Sequence, residues 1–176
     1  EKRMLTGNLA MATCVNLSKD MKYCVAGLED GGICIWDLDT GRLIKELSKS
    51  THQICYVDGD RTLFIGQTTG IVMIWECEKE KYETCRCMLE GRKSPVTAVS
   101  LAEDICIVSH EDDVAEIWSV SENQIIKTLE HYQYVSITDD LNFICAQTSK
   151  GDVWYYNLET KEKKVLWTGV DRTQAV

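Results

Sequence analysis

His110-Glu111-Asp112-Asp113 gathers in four consecutive positions the residue types that bind metal ions and move protons. Its spacing is not that of His-Glu-x-x-His, in which two imidazoles one helical turn apart grip zinc. β-prone runs flank the set, so the sequence predicts a turn with a structural or partner-contact role there, in place of metal or acid–base chemistry. Cys85-Arg86-Cys87 is the closest pair among nine cysteines, and no Cys-x-x-Cys occurs. Strand alternation would put Cys85 and Cys87 on one face without bringing further ligands near. Cys14, Cys24, Cys34, Cys106 and Cys145 sit inside apolar runs, where a thiol behaves as a small hydrophobe. Free, mostly buried thiols in a reducing compartment are therefore expected, with neither disulfides nor metal. The sequence contains no Gly-x-x-x-x-Gly-Lys loop and no Gly-x-Ser-x-Gly elbow, so no catalytic residue and no cofactor is predicted.

What positions these residues is a repeat. Tyr23-Cys24-Val25-Ala26 and Ile33-Cys34-Ile35-Trp36 are β-prone runs joined by Glu29-Asp30-Gly31-Gly32, whose residue types suit a tight turn. A lone hairpin is marginal in water and needs neighbours. The pattern returns at intervals of about 40 residues, the period of a four-stranded propeller blade, with Trp75, Trp118 and Tyr156 in step with Trp36. Nine positions before these aromatics stand Gly27, Gly66, Ser109 and Gln147, and five before stand Gly31, Gly70, Asp113 and Gly151. Recurrence at one place per unit marks the four aromatics as packing residues and not as a ligand cage.

The run Ala26-Gly27-Leu28-Glu29-Asp30-Gly31-Gly32-Ile33-Cys34-Ile35-Trp36-Asp37 resembles the WD40 repeat family nearly residue for residue. Later units are eroded, with Trp-Glu, Trp-Ser and Tyr-Asn in place of Trp-Asp. The family's Gly-His pair survives only as Gly7-Asn8, Gly91-Arg92 and Glu130-His131. In the family that histidine joins a hydrogen-bonded set with an aspartate, a strand Ser or Thr and the tryptophan. The resemblance therefore implies that most units lack the full set; His52 and His131 both precede inner strands, where such a histidine would brace a blade, and the resemblance favours His131 for that role. It further implies a non-catalytic protein–protein interaction scaffold. Alternatives within the family are a substrate-recognition module of a ubiquitin ligase or the sensor region of a regulatory ATPase, with an enzyme built on a propeller face a distant third.

The predicted fold class is all-β, a WD40-type β-propeller of four-stranded antiparallel blades, treated as one domain over residues 1–176. Blades are expected at 12–47, 53–89, 96–129 and 134–168. Residues 1–6 would be the outer strand of a preceding blade and 171–176 the start of a following one. Cys77-Glu78-Lys79-Glu80-Lys81 reads as a longer charged connection, and Pro95 as an opening where a strand can begin without an N–H. Propellers of this kind close with more than four blades as a rule, so an arc of a longer propeller is expected. A half closed by another chain and a closed four-bladed ring are the other possibilities. An open arc exposes apolar faces and needs further blades or a partner chain.

The net charge of −9 weighs against a nucleic-acid footprint and against docking on acidic membranes, since both require a cationic face. Arg92-Lys93 and Lys161-Glu162-Lys163-Lys164 are the nearest basic stretches, and lysine on an exposed edge deters strand pairing. Other proteins or peptides, in the cytoplasm or nucleus, are the expected partners. Loops into inner strands and turns after second strands emerge on one side of a propeller. Asn8, Glu29, Asp30, His52, Gln67, Arg92, His110, Glu111, Asp112, Tyr132, Gln133 and Lys150 are thus expected on one partner-binding rim. Its acidity suits a basic or mixed-charge peptide better than a phosphopeptide, which needs an arginine cluster.

Overall fold

The computed structural model describes residues 5–7, 10–18, 20–48, 53–58, 62–66, 70–78 and 81–169; for 48, 53–58, 62–66, 75–78 and 81–87 it describes the backbone. These residues form sixteen strands. β1 (Ala12–Leu17), β2 (Tyr23–Leu28), β3 (Gly32–Asp37) and β4 (Leu43–Ser48) make the first sheet, and β5 (Gln53–Asp58), β6 (Thr62–Gly66), β7 (Ile71–Glu78) and β8 (Lys81–Glu90) the second. β9 (Val96–Ala102), β10 (Ile105–His110), β11 (Val114–Ser119) and β12 (Gln124–Glu130) make the third, and β13 (Tyr134–Ile137), β14 (Phe143–Gln147), β15 (Val153–Asn157) and β16 (Lys163–Trp167) the fourth. Each sheet is an antiparallel meander whose strands follow chain order. The chain divides into two compact units, Glu1–Val96 and Thr97–Val176.

Backbone conformation explains why the repeat keeps its period. The position five before each aromatic lies in the left-handed region in all four sheets, with φ of 82° at Gly31, 85° at Gly70, 63° at Asp113 and 85° at Gly151. A second left-handed position recurs at Met21, Glu103 and Leu141 in the first turns, and a third at Gly41, Asn123 and Lys161 in the third turns. Tight hairpins need positive φ, and Gly, Asn and Asp adopt it most readily. The aromatic itself stands next to a bulge: the pairing register shifts between Ile35 and Trp36, between Ile74 and Trp75, and between Ile117 and Trp118. In the fourth sheet, where Tyr156 replaces Trp, the shift falls between Val153 and Trp154.

In the first unit, Val25, Ile33 and Ile35 are buried on one face of the first sheet, with Met73 of β7 packed against them. The opposite face buries Cys24, Ala26, Leu28, Cys34 and Trp36 beneath Leu5 and Ala10. Burial of each aliphatic side chain contributes about 1.5–3 kcal/mol. In the second unit Ile107 and Ala115 of the third sheet meet Val135 and Ala146 of the fourth. Polar links cross the same seam: Ser109 Oγ accepts the Val135 N–H at 3.0 Å, Ser100 Oγ accepts the Ile137 N–H at 3.1 Å, and Thr97 donates to the Gln133 carbonyl.

The observed strands match the expected ones to about a residue, except at β7 and β8. There the anticipated charged connection is a continued hairpin, with Glu78 paired to Lys81, because charged residues alternating along a strand lose nothing by pairing their backbones. Leu5 and Thr6, expected in an outer strand, are not in a strand, and Thr6 instead offers its carbonyl to Trp36 Nε1 at 3.1 Å. Residues 1–4 and 171–176 lie outside the described residues.

Candidate functional site

Hydrogen bonding brings the second-strand turns against the loops that enter inner strands. In the first sheet the Glu29 N–H donates to the Met11 carbonyl at 2.9 Å, while Asp30 caps its own turn by accepting the Gly32 N–H at 2.9 Å. This Asx turn holds Glu29 and Asp30 with their carboxylates in solvent. Also in the first unit, Gly70 packs so tightly on the loop after β8 that a Cβ there would lie 1.8 Å from the Arg92 carbonyl oxygen. Arg92 is exposed beside this contact, and with Ile71, Glu90, Gly91 and Lys93 it lines an open cleft of about 540 Å³.

The second unit repeats the arrangement. The Tyr132 N–H donates to the Asp113 carbonyl and the Gln133 N–H to the Gln147 carbonyl, both at 2.9 Å. Gly169 reaches Asp152 Oδ1 through its N–H at 2.8 Å, and a Cβ on Gly169 would meet the Lys150 carbonyl oxygen at 2.0 Å. Glu111, Asp112 and Lys150 are exposed, and Tyr132 and Gln133 are half-buried. Within each unit, then, the expected rim residues that are described sit in second-strand turns or entry loops, several of them joined by these contacts, with one exception. Asn8, His52 and Gln67 lie outside the described residues.

The exception is His110, which is fully buried and is no rim residue. β10 runs one residue further than its polar sequence suggests, and alternation turns the imidazole inward onto the face that carries Cys106, Val108, Glu116 and Trp118. His110 Nε2 lies 3.3 Å from Glu116 Oε2, and the Trp118 indole N–H donates to that same oxygen at 3.2 Å. The blade-bracing role assigned to His131 is likewise corrected: His131 is exposed, with φ of 71°, and the buried histidine of its unit is His110. The signal in the sequence was the residue two before each aromatic, Cys34, Met73, Glu116 and Trp154, where a carboxylate stands on a buried face and requires a donor.

The remaining turns are held by carboxylates. Hydroxyl hydrogen bonds from Ser18, Thr40, Ser119 and Thr138 hold Asp20, Asp37, Asp104 and Asp140, respectively, below the usual carboxylate range. These interactions are local to solvent-facing turns and stabilise conformation without creating a reactive acid or base. Among the described residues no group of three or more His, Cys, Asp or Glu could hold a metal ion. Cys24, Cys34 and Cys106 are buried and carry no disulfide, Cys14 is half-buried, and Cys145 departs from expectation by being exposed. It stands opposite Ser136 and Tyr155, on the face of the fourth sheet turned away from Ala146. No helix is long and apolar enough to cross a membrane among the described residues.

No protein-family model matches the sequence. The chain is 23% identical over 145 residues to pre-mRNA-processing factor 19 of Oryza sativa subsp. japonica, a match spanning 79% of this chain and 27% of that protein. It is 24% identical over 170 residues to autophagy-related protein 16 of Arabidopsis thaliana, spanning 89% of this chain and 33% of that one. Against the crystal structure of the RRP9 WD40 repeats the TM-score is 0.73 at 17% identity, covering 94% of this chain and 53% of that one. The chain thus spans about a third of the length of these curated relatives. At this identity the likeness shows the fold, an all-β arrangement of WD40-type four-stranded blades.

Proposed function

We propose that this chain, built of WD40-type propeller blades, is a non-catalytic scaffold that binds other proteins through the loops at the ends of its strands. The observation that carries the proposal is the hydrogen bonding of second-strand turns to entry loops, at Glu29–Met11 within the first sheet and at Tyr132–Asp113 between the third and fourth. Loops fixed in this way keep their side chains in place before a partner arrives, which lowers the entropic cost of binding. Glu29, Asp30, Arg92, Glu111, Asp112, Tyr132, Gln133 and Lys150 are the proposed contact residues. Acidic positions predominate on the exposed turns and the chain carries −9 overall, so a basic or mixed-charge peptide segment is the favoured partner.

Two further parts of the proposal concern context. The sheets are an arc that further blades, from the same polypeptide or a partner, complete. The protein works inside the cell, in cytoplasm or nucleus, a placement supported by buried strand cysteines that form no disulfide and by relatives named for pre-mRNA processing and autophagy. Reversing charge at Glu29, Glu111 and Asp112 together, with pull-down from cell extract read beside the thermal midpoint, tests the rim. Lost partners at unchanged midpoint support it; an unchanged partner profile rejects it.

A further inference from the structure

Lys163 is the first residue of β16 and stands opposite Tyr156, on the face of the fourth sheet that also carries Trp154. Its stem runs diagonally to the next residue on that face, and Nζ comes to rest 3.8 Å from the centroid of the Trp154 ring. The same Nζ donates a hydrogen bond to Tyr132 Oη at 3.1 Å and lies 5.8 Å from the Tyr132 ring centroid. One indole face and one phenolic hydroxyl acceptor therefore converge on a single ammonium group.

We propose that Tyr132 and Trp154 form a seat for the side-chain ammonium of a lysine presented by a partner protein, and that Lys163 fills this seat in cis until the partner lysine displaces it. Three features favour that ligand. The indole face is the strongest of the aromatic cation acceptors. Tyr132 Oη takes an N–H from the ammonium, which a fully methylated nitrogen would be unable to supply. The rings are held independently of Lys163, because Tyr132 is packed against the Ile107–Ala115–Val135–Ala146 cluster and anchored by its backbone N–H to Asp113, while Trp154 is fixed opposite buried Ala146 in the sheet. Lys163 itself is exposed, so its release moves one surface side chain and no backbone. Occupation in cis lowers the apparent affinity for any competitor by the fraction of time the seat is filled. The proposal goes beyond the rim reading, sharing only Tyr132 with it, and it is tested with different variants.

The probe is N-acetyl-lysine methylamide, titrated while the indole N–H resonance of Trp154 is followed by NMR, with N-acetyl-norleucine methylamide as the uncharged counterpart. In Lys163→Met the lysine probe is expected to give a saturable shift, at an affinity at least about threefold tighter than in the unmodified chain. The norleucine probe should bind roughly two- to fivefold more weakly than the lysine probe. Tyr132→Phe should weaken binding, and Trp154→Leu, followed through the ring resonances of Tyr132, should abolish it. Equal shifts from both probes, or no saturable shift in folded Lys163→Met, would overturn the proposal. Should Lys163→Met fail to fold, Lys163→Ala and the unmodified chain at higher probe concentration give the same comparison of lysine with norleucine.

Discussion

Trp118 donates its indole N–H to the carboxylate of Glu116, two residues earlier on the same strand, and His110 approaches that same oxygen from the neighbouring strand. The first sheet solves the same packing problem differently. There Leu28 and Cys34 occupy the corresponding places, and Trp36 sends its indole N–H to the Thr6 carbonyl.

Removing one member of the polar set should cost more than exchanging the His110–Glu116 pair. Glu116→Ala leaves the Trp118 N–H without its acceptor and His110 without its carboxylate, and a loss of about 3–5 kcal/mol is expected by chemical denaturation. His110→Leu combined with Glu116→Cys installs the residues of the first sheet. That double variant should lose only about 1–3 kcal/mol, because the two facing polar groups leave together while the Trp118 N–H still lacks the acceptor that Trp36 finds at the Thr6 carbonyl.

Asp113 holds a positive φ where the other three sheets have glycine, and its Oδ1 is buried with no hydrogen-bond partner among the described residues. Asp113→Gly relieves both and should raise stability by roughly 1–2 kcal/mol. Gly70→Ala is its mirror image. The new methyl would combine φ of 85° with a clash on the Arg92 carbonyl, and a loss of about 2–4 kcal/mol should appear in the same denaturation measurement.

Acid should weaken the turns. Carboxyl groups whose pKa is depressed on folding contribute stability that is fully present above the unfolded-state value of about 4 and is lost as pH falls through the folded value. Hydroxyl hydrogen bonds depress Asp20, Asp37, Asp104 and Asp140 in this sense. The thermal midpoint should therefore hold steady from neutral pH down to about pH 5 and decline below about pH 4, and Asp140→Asn should flatten part of that decline.

Thiol reagents should separate the cysteines by face. Burial pushes the Cys24 thiol up, which reduces the reactive thiolate further. Cys145 should label in the native protein while Cys24, Cys34 and Cys106 stay protected, and all nine should label after denaturation, as mass spectrometry of tryptic peptides would read.

Much of the fold was legible because one backbone requirement repeats. Gly31, Gly70 and Gly151 mark the positive-φ position directly, and Trp36, Trp75 and Trp118 mark the bulge that follows. The site was less legible. His110 follows Ser109 and precedes three acids, so its polarity reads as a turn, whereas the strand continues and alternation carries the ring inward. The Glu78–Lys81 hairpin was hidden for the same reason: charge marks solvent exposure and says nothing about whether the backbone pairs. Lys163 over Trp154 depends on the register of β15 against β16, which a shift between Val153 and Trp154 alters. Local sequence does not specify such a shift.

Ser109 Oγ takes the backbone N–H of Val135 across the seam between the third and fourth sheets. That amide is a first-strand donor protected by a side chain of the preceding blade, so its exchange with solvent deuterium reports on two sheets at once. Fraying that starts in the fourth sheet cannot release Val135 while Ser109 stays paired, and the opening free energy of this amide belongs to the pair of blades as a cooperative unit.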